Sequence, residues 1–157
     1  MSTMRALVLV EPGRAEVREV AAPRPGPGDA VVDVRRVGLC GTDQEFFSGT
    51  MAYLHNGRAS CPLRPGHEWV GVVREVGAGV DAALVGARVT GDTMLACGRC
   101  DRCADGRSHV CRALVEVGIS MGFAGALAER LLVPAISLLR LPDAVDDSAG
   151  ALVEPGG

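Results

Sequence analysis

Four cysteines, Cys97, Cys100, Cys103 and Cys111, fall in the pattern C-x2-C-x2-C-x7-C. Soft thiolates this close in sequence can surround one tetrahedral metal ion, with zinc the usual occupant. Four thiolates leave no open position, so such a site fixes a loop and does not catalyse. C-x2-C-x2-C also opens a bacterial iron–sulfur run, but that run continues x3-C-P. Here seven residues intervene, and Arg112 and Ala113 follow the last cysteine. A zinc ribbon for nucleic acid separates two C-x2-C pairs, which this chain does not do. The spacing therefore favours structural zinc. Arg99, Arg102, Arg107 and Arg112 lie beside these cysteines. They would offset the thiolate charge, although solvated surface is the simpler reading.

A second set of residues has different chemistry. Cys40 sits in Gly38-Leu-Cys-Gly-Thr-Asp43, and His67 in Pro65-Gly-His-Glu68. A mixed thiolate, imidazole and carboxylate set can keep one coordination position open for substrate. Asp43 and Glu68 are placed to orient these ligands, or Glu68 to be a ligand itself. Glu154, in Leu152-Val-Glu-Pro155, is a further carboxylate. His55 and Tyr53 fall between the two ligand segments, where a loop can carry specificity. Cys61 reads as a free thiol, His109 as structural, and Trp69 as a buried packing residue.

The bulk properties narrow the setting. With 157 residues the chain is about one domain, long enough for a hydrophobic core. A net charge of -3 and an aromatic content of 3% argue against a nucleic-acid partner. No apolar run approaches the about 18 residues of a membrane span. The N-terminal run is too short for a signal peptide, and Glu11 follows it. A cytoplasmic setting is expected, where thiols stay reduced and clustered cysteines bind metal.

The elements that must position these residues are mostly strands. Ala6–Val10 and Ala15–Ala21 read as a hairpin, Pro23–Asp29 as a turn, and Ala30–Val37 as a core strand running into Cys40. Thr42-Asp-Gln-Glu45 has capping-box spacing and predicts a short helix just after Cys40. Ser48–Pro65 reads as an irregular loop. Glu68–Val76 is a strand in which Gly71 allows a bulge or a close backbone approach. Val85–Thr90 is a shorter strand, and Gly91–Arg112 is too punctuated for regular structure. Ala126–Val133 and Ile136–Leu141 are strands around Pro134. Asp143–Leu152 reads as a short helix with an acidic first turn. Gly77-Ala-Gly-Val-Asp-Ala82 matches a dinucleotide fingerprint, but no room remains for the helix such a motif opens, so it is a plain turn. The pattern predicts a mainly β fold, a closed or partly closed barrel with a few short helices and a zinc-binding lobe.

Taken together, Gly38-Leu-Cys-Gly-Thr-Asp43, Pro65-Gly-His-Glu68, the Cys97/Cys100/Cys103/Cys111 lobe and Leu152-Val-Glu-Pro155 resemble the zinc-dependent medium-chain alcohol dehydrogenases. The threonine and polyol (sorbitol, glucose) branch is the nearest in look. The resemblance covers the whole chain and implies a GroES-like catalytic domain over residues 1–157. It implies two zinc ions, one structural and one catalytic, and NAD(P) in the full-length protein. Cys40 and His67 would bind the catalytic zinc, with Glu154 in the third position. Glu68 would be an exchangeable ligand or, as in some polyol enzymes, the ligand in place of Glu154. Thr42 would relay the substrate proton, and Asp43 would hydrogen-bond His67. Gly41 lacks the basic side chain that some relatives aim at the cofactor phosphate. The implied substrate is a small secondary alcohol, and the implied assembly a homo-oligomer.

The family pattern continues beyond Glu154-Pro155 with a Rossmann domain and a returning segment. The expectation is therefore an incomplete catalytic domain that binds zinc and has little dehydrogenase activity alone. A stand-alone zinc-binding barrel, acting as an interaction or regulatory module, is the competing reading.

Overall fold

A computed structural model describes residues 2–156. The chain opens with the expected antiparallel hairpin, β1 (Thr3–Glu11) and β2 (Arg14–Ala21). β3 (Asp29–Val37) follows the proline-rich turn and runs towards Cys40. Helix α1 (Gly41–Ser48) starts at Cys40, and a one-turn helix α2 (Ala52–His55) interrupts the stretch expected to be irregular. β4 (Trp69–Val76) pairs antiparallel with β3, and β5 (Arg88–Gly91) with β4. The zinc-lobe region holds β6 (Met94–Leu95), the four-residue helix α3 (Asp101–Ala104) and β7 (Val115–Glu116). β8 (Arg130–Pro134), β9 (Leu138–Arg140), α4 (Asp147–Ala151) and α5 (Val153–Gly156) complete the described residues.

The main sheet has five antiparallel strands in the order β8-β3-β4-β5-β9. It does not close into a barrel. The hairpin β1–β2 and the pair β6–β7 form separate two-stranded sheets, and β1 reaches its neighbours only through single bridges, Ala6 to Ala128 and Leu9 to Leu63. The expected strand from Ala126 is shortened for the same reason. The amides of Gly125, Ala126 and Leu127 bond to the carbonyls of Arg64, Gly66 and Pro65 instead of extending a ladder. Pro134 ends β8, and a 3-10 turn at Ala135–Ser137 delays β9.

One face of the sheet holds the main core, with Val32, Trp69, Val73, Val89, Leu131 and Val133 fully buried. The side chain of Thr90, also buried, donates to the Trp69 carbonyl at 2.6 Å. α4 packs against β3 and β4, and Gly150 permits the contact, because a Cβ there would lie 2.8 Å from Leu141 and 3.1 Å from Val70. Gly71 has the close approach read from the sequence: a Cβ there would overlap Val32 and the Asp33 carbonyl. Two register shifts bend the partner strand β3. Gly77–Asp81 is a turn leading into a 3-10 turn at Ala82–Leu84, with no strand–helix unit for a dinucleotide. No helix among the described residues is long and apolar enough to cross a membrane.

Candidate metal centres

The mixed site follows from strand register. Val37 at the end of β3 pairs with Trp69 at the start of β4, so the residues just after one strand meet those just before the other. Cys40 thereby comes to lie beside His67, with Sγ 3.0 Å from Nε2. Cys40 is also the N-cap of α1. Its sulfur accepts from the Thr42 amide at 3.2 Å, and the Asp43 carboxylate returns to the Cys40 amide at 3.1 Å. The capping box therefore begins at Cys40, two residues before the expected Thr42, because Cys40 has the extended backbone that an N-cap requires. The other Asp43 oxygen accepts from the Gly66 amide at 3.2 Å and stands 3.9 Å from His67 Nδ1.

His67 and Glu68 are both buried, and Nδ1 of His67 has no hydrogen-bond partner. Sequence reasoning did not single out Thr93, which is buried and donates to the His67 carbonyl at 3.3 Å. Nor did it assign a role to Gly38. Its amide donates to the Glu68 carbonyl at 2.7 Å, and its missing Cβ leaves space that the Glu68 carboxylate fills.

Two overlapping groups of donors share His67. Cys40, Asp43 and His67 form one, and His67, Glu68 and Glu154 the other, with ligand atoms within 4.8 Å of one another in each group. α5 brings a Glu154 oxygen within 4.8 Å of His67 and Glu68. Cys40 and Glu154 thus each lie near His67 without belonging to a single cluster. The donors suit a metal ion. Tetrahedral zinc with bonds of about 2.1 Å to nitrogen and 2.3 Å to sulfur sets those atoms about 3.6 Å apart. A modest opening of the Cys40–His67 pair makes that room, and a bound His67 would direct its orphaned Nδ1 N–H towards Asp43.

The four remaining ligand candidates also converge. Cys97, Cys100, Cys103 and Cys111 form one cluster, with Cys100 Sγ 3.5 Å from Cys103 and 3.8 Å from Cys111. A tetrahedral ion with bonds of about 2.3 Å sets its sulfurs about 3.8 Å apart, so this cluster is already near metal-binding size. The amides of Cys97 and Ala113 point at Cys111 Sγ, at 3.3 and 3.4 Å. Backbone N–H groups of Arg112 and Cys103 draw the Cys100 thiol down to about 6, while burial first, then neighbouring sulfurs, push Cys103 up to about 11. Thiols this close share their protons as a set. The arginines serve the loop: Arg112 forks onto Asp101 at 2.7 Å, Arg107 meets Asp105, and Arg102 caps the Val110 carbonyl.

Other candidates have found structural work. His55 is exposed and bonds the Gly49 carbonyl at 2.9 Å, and Tyr53 lies under the Arg58 guanidinium. Neither lines the groove of about 490 Å³ that opens beside Cys40 between Leu7, Leu9, Leu39 and Phe47. Cys61 is a free thiol, raised by burial and then by Glu11, and Trp69 is fully buried.

Known proteins share this fold. Residues 26–143 match the alcohol dehydrogenase GroES-like domain. The L-threonine 3-dehydrogenase of Deinococcus radiodurans is 36% identical over 98% of this chain and 43% of its own length. A short chain alcohol dehydrogenase, RspB of Escherichia coli CFT073, complexed with NADH, superposes with a TM-score of 0.87 at 33% identity, covering 99% of this chain and 43% of that one. A cobalt- and zinc-bound thermostable alcohol dehydrogenase from Pyrobaculum aerophilum gives 0.82 at 30% identity, over 97% and 45%. The chain spans less than half the length of the curated relatives it matches. The matched residues hold β3 to β9, Cys40, His67 and the whole four-cysteine lobe, and the chain belongs to the alcohol dehydrogenase GroES-like family.

Proposed function

We propose that this chain forms the zinc-binding part of an NAD(P)-dependent dehydrogenase that oxidises a small secondary alcohol. The observation that carries the reading is the placement of Cys40 Sγ 3.0 Å from His67 Nε2, with Glu68 and Glu154 on the same imidazole. Cys40, His67 and a carboxylate would hold the catalytic zinc, and the four cysteines the structural one. A zinc ion with such ligands supplies Lewis acidity, which lowers the pKa of an alcohol bound at its open position.

The chain's own groups do the remaining work. Thr42, two residues from Cys40 at the start of α1, passes the hydroxyl proton outward. Asp43, clamped by the Cys40 and Gly66 amides, would accept from Nδ1 of a metal-bound His67 and keep its ring turned so that Nε2 faces the ligand position. NAD(P), when bound, would supply the hydride acceptor for the carbinol carbon, in keeping with the NADH complex of the Escherichia coli relative. Glu154 is the third ligand in this reading, and Glu68 lies close enough to His67 and Glu154 to exchange with it.

Metal analysis of protein purified without added zinc tests the proposal. Two zinc ions per chain are expected, falling to one in Cys40→Ala and in Glu154→Ala. A single ion in the unaltered chain, or an unchanged count in Cys40→Ala, would overturn it. Retention of both ions in Glu154→Ala with loss of one in Glu68→Ala would transfer the third-ligand role to Glu68.

A further inference from the structure

Arg64 lies three residues before His67 and lines a cavity of about 280 Å³. Its Nε is buried and has no hydrogen-bond partner. Burial alone pulls the guanidinium below the ordinary arginine value, and no charged neighbour acts on it. The sole cation–ring stack among the described residues is that of Arg58 on Tyr53. Arg64 is half-buried, so its guanidinium stays within reach of solvent while the buried Nε N–H has no acceptor, and a buried donor is ordinarily paired.

The cavity around it has no acid. Its lining includes no aspartate or glutamate. Ser60, Gly122 and Ala124 line it, and their backbone N–H groups make no hydrogen bond within the described chain. Met121 and Gly122 both have positive φ, at 55° and 69°, and Phe123 closes that turn by donating to the Ser120 carbonyl. A non-glycine residue held in this region marks a turn whose shape the surroundings enforce. The remaining walls are apolar, formed by Val8, Leu63, Ile119 and Phe123.

We infer that this cavity is a binding site for a small amphiphilic monocarboxylate, its carboxylate on the Arg64 fork and its short hydrocarbon chain against Val8, Leu63, Ile119 and Phe123. The charge arithmetic selects the ligand. One guanidinium neutralises one carboxylate with two parallel hydrogen bonds. A phosphate dianion would leave charge unmatched between apolar walls, at a desolvation cost. The volume of about 280 Å³ suits a chain of a few methylenes. The site shares no lining residue with the candidate metal centres.

Titration of the full chain with hexanoate tests the inference, at fixed ionic strength with chloride as counter-anion and inorganic phosphate as comparison. Heat of binding and amide shifts in ¹H–¹⁵N spectra are the readouts. Saturable one-to-one binding is expected, with shifts centred on Ser60, Gly122 and Ala124 and much weaker binding of phosphate. Arg64→Gln should weaken hexanoate binding by about tenfold or more, the scale of a lost charge-assisted pair. Ala124→Leu, which keeps the charge and fills the cavity, should abolish it. Should Arg64→Gln fail to fold, Ala124→Leu still decides the matter. The inference is overturned by an absence of saturable binding, by unchanged affinity in a folded Arg64→Gln or Ala124→Leu, or by phosphate binding as tightly as hexanoate.

Discussion

The carboxylate of Asp43 stands 3.9 Å from Nδ1 of His67, held there by the amides of Cys40 and Gly66. One side chain thus ties the start of α1 to the turn before β4, and with them the two ligand segments. Its loss frees the imidazole orientation as well as the helix cap. Asp43→Ala is expected to weaken zinc at the mixed site by about 10–100-fold, the usual scale for a residue behind a metal ligand. The four-cysteine lobe should keep its ion. Competition with a chromogenic chelator reads both sites, and equal loss from both would show general unfolding instead.

Gly38 makes a narrower prediction. It has no positive φ, so alanine meets no backbone strain there. The added Cβ would instead overlap the Glu68 carboxylate and lie 3.0 Å from Glu68 Cβ. Gly38→Ala should therefore push the Glu68 carboxylate away from His67 and Glu154. If Glu68 exchanges with Glu154 at the metal, the variant should release zinc from the mixed site at a changed rate while its thermal midpoint moves little. An unchanged rate would remove Glu68 from the exchange.

Much of this arrangement is legible in the sequence because it is local. The thiolate spacing of the lobe, the valine-rich β3 and β4 and the glycine-marked turns each follow from a few neighbouring residues. The extent of the barrel is not local. Residues 125–127 spend their amides on carbonyls some sixty residues away, and no strand propensity reports that. The helix cap was displaced because cysteine is not a customary capping residue, whereas Thr42 and Glu45 have the customary types. Thr93 carries no motif, and only the fold brings its hydroxyl to the His67 carbonyl. Cys40 and Glu154 lie 114 residues apart in number, and no spacing rule fixes which carboxylate shares an ion with the thiolate.

The four-cysteine lobe should show a pH-dependent proton release when the metal-free chain takes up zinc. All four sulfurs bind as thiolates, so the protons released equal those still held beforehand. Cys100, drawn down to about 6, is already ionised at pH 7.5, whereas Cys103, pushed up to about 11, still holds its proton. Cys97 is also lowered, by the amides of Arg99 and Cys100 and then by Cys111. The sign follows: release of about three protons or fewer per ion at pH 7.5, rising towards four as pH falls below 6, with affinity dropping over the same range. Calorimetry of Cys40→Ala in buffers of different ionisation enthalpy isolates this site. Four protons at both pH values would contradict the assignment.

Phe46 tests how the second core holds α1. It is fully buried, and its cluster includes Leu9 from β1 and Ala59, with Met51, Leu54, Leu63 and Ile119 packed around them. Thr42 lies one turn before it on the same helix, so the aromatic ring anchors the segment that carries the proposed proton relay. Phe46→Ala deletes the ring without removing any hydrogen bond of the Cys40–Asp43 cap. A loss of about 3–5 kcal/mol is expected, from transfer and cavity costs together. Urea unfolding should show a lower midpoint at unchanged slope, because the surface exposed on unfolding is nearly the same. The Cys97–Cys111 lobe, which shares no residue with this cluster, should retain zinc in the folded variant. A loss below about 1 kcal/mol would mean that α1 is held by its cap and not by the core beneath it.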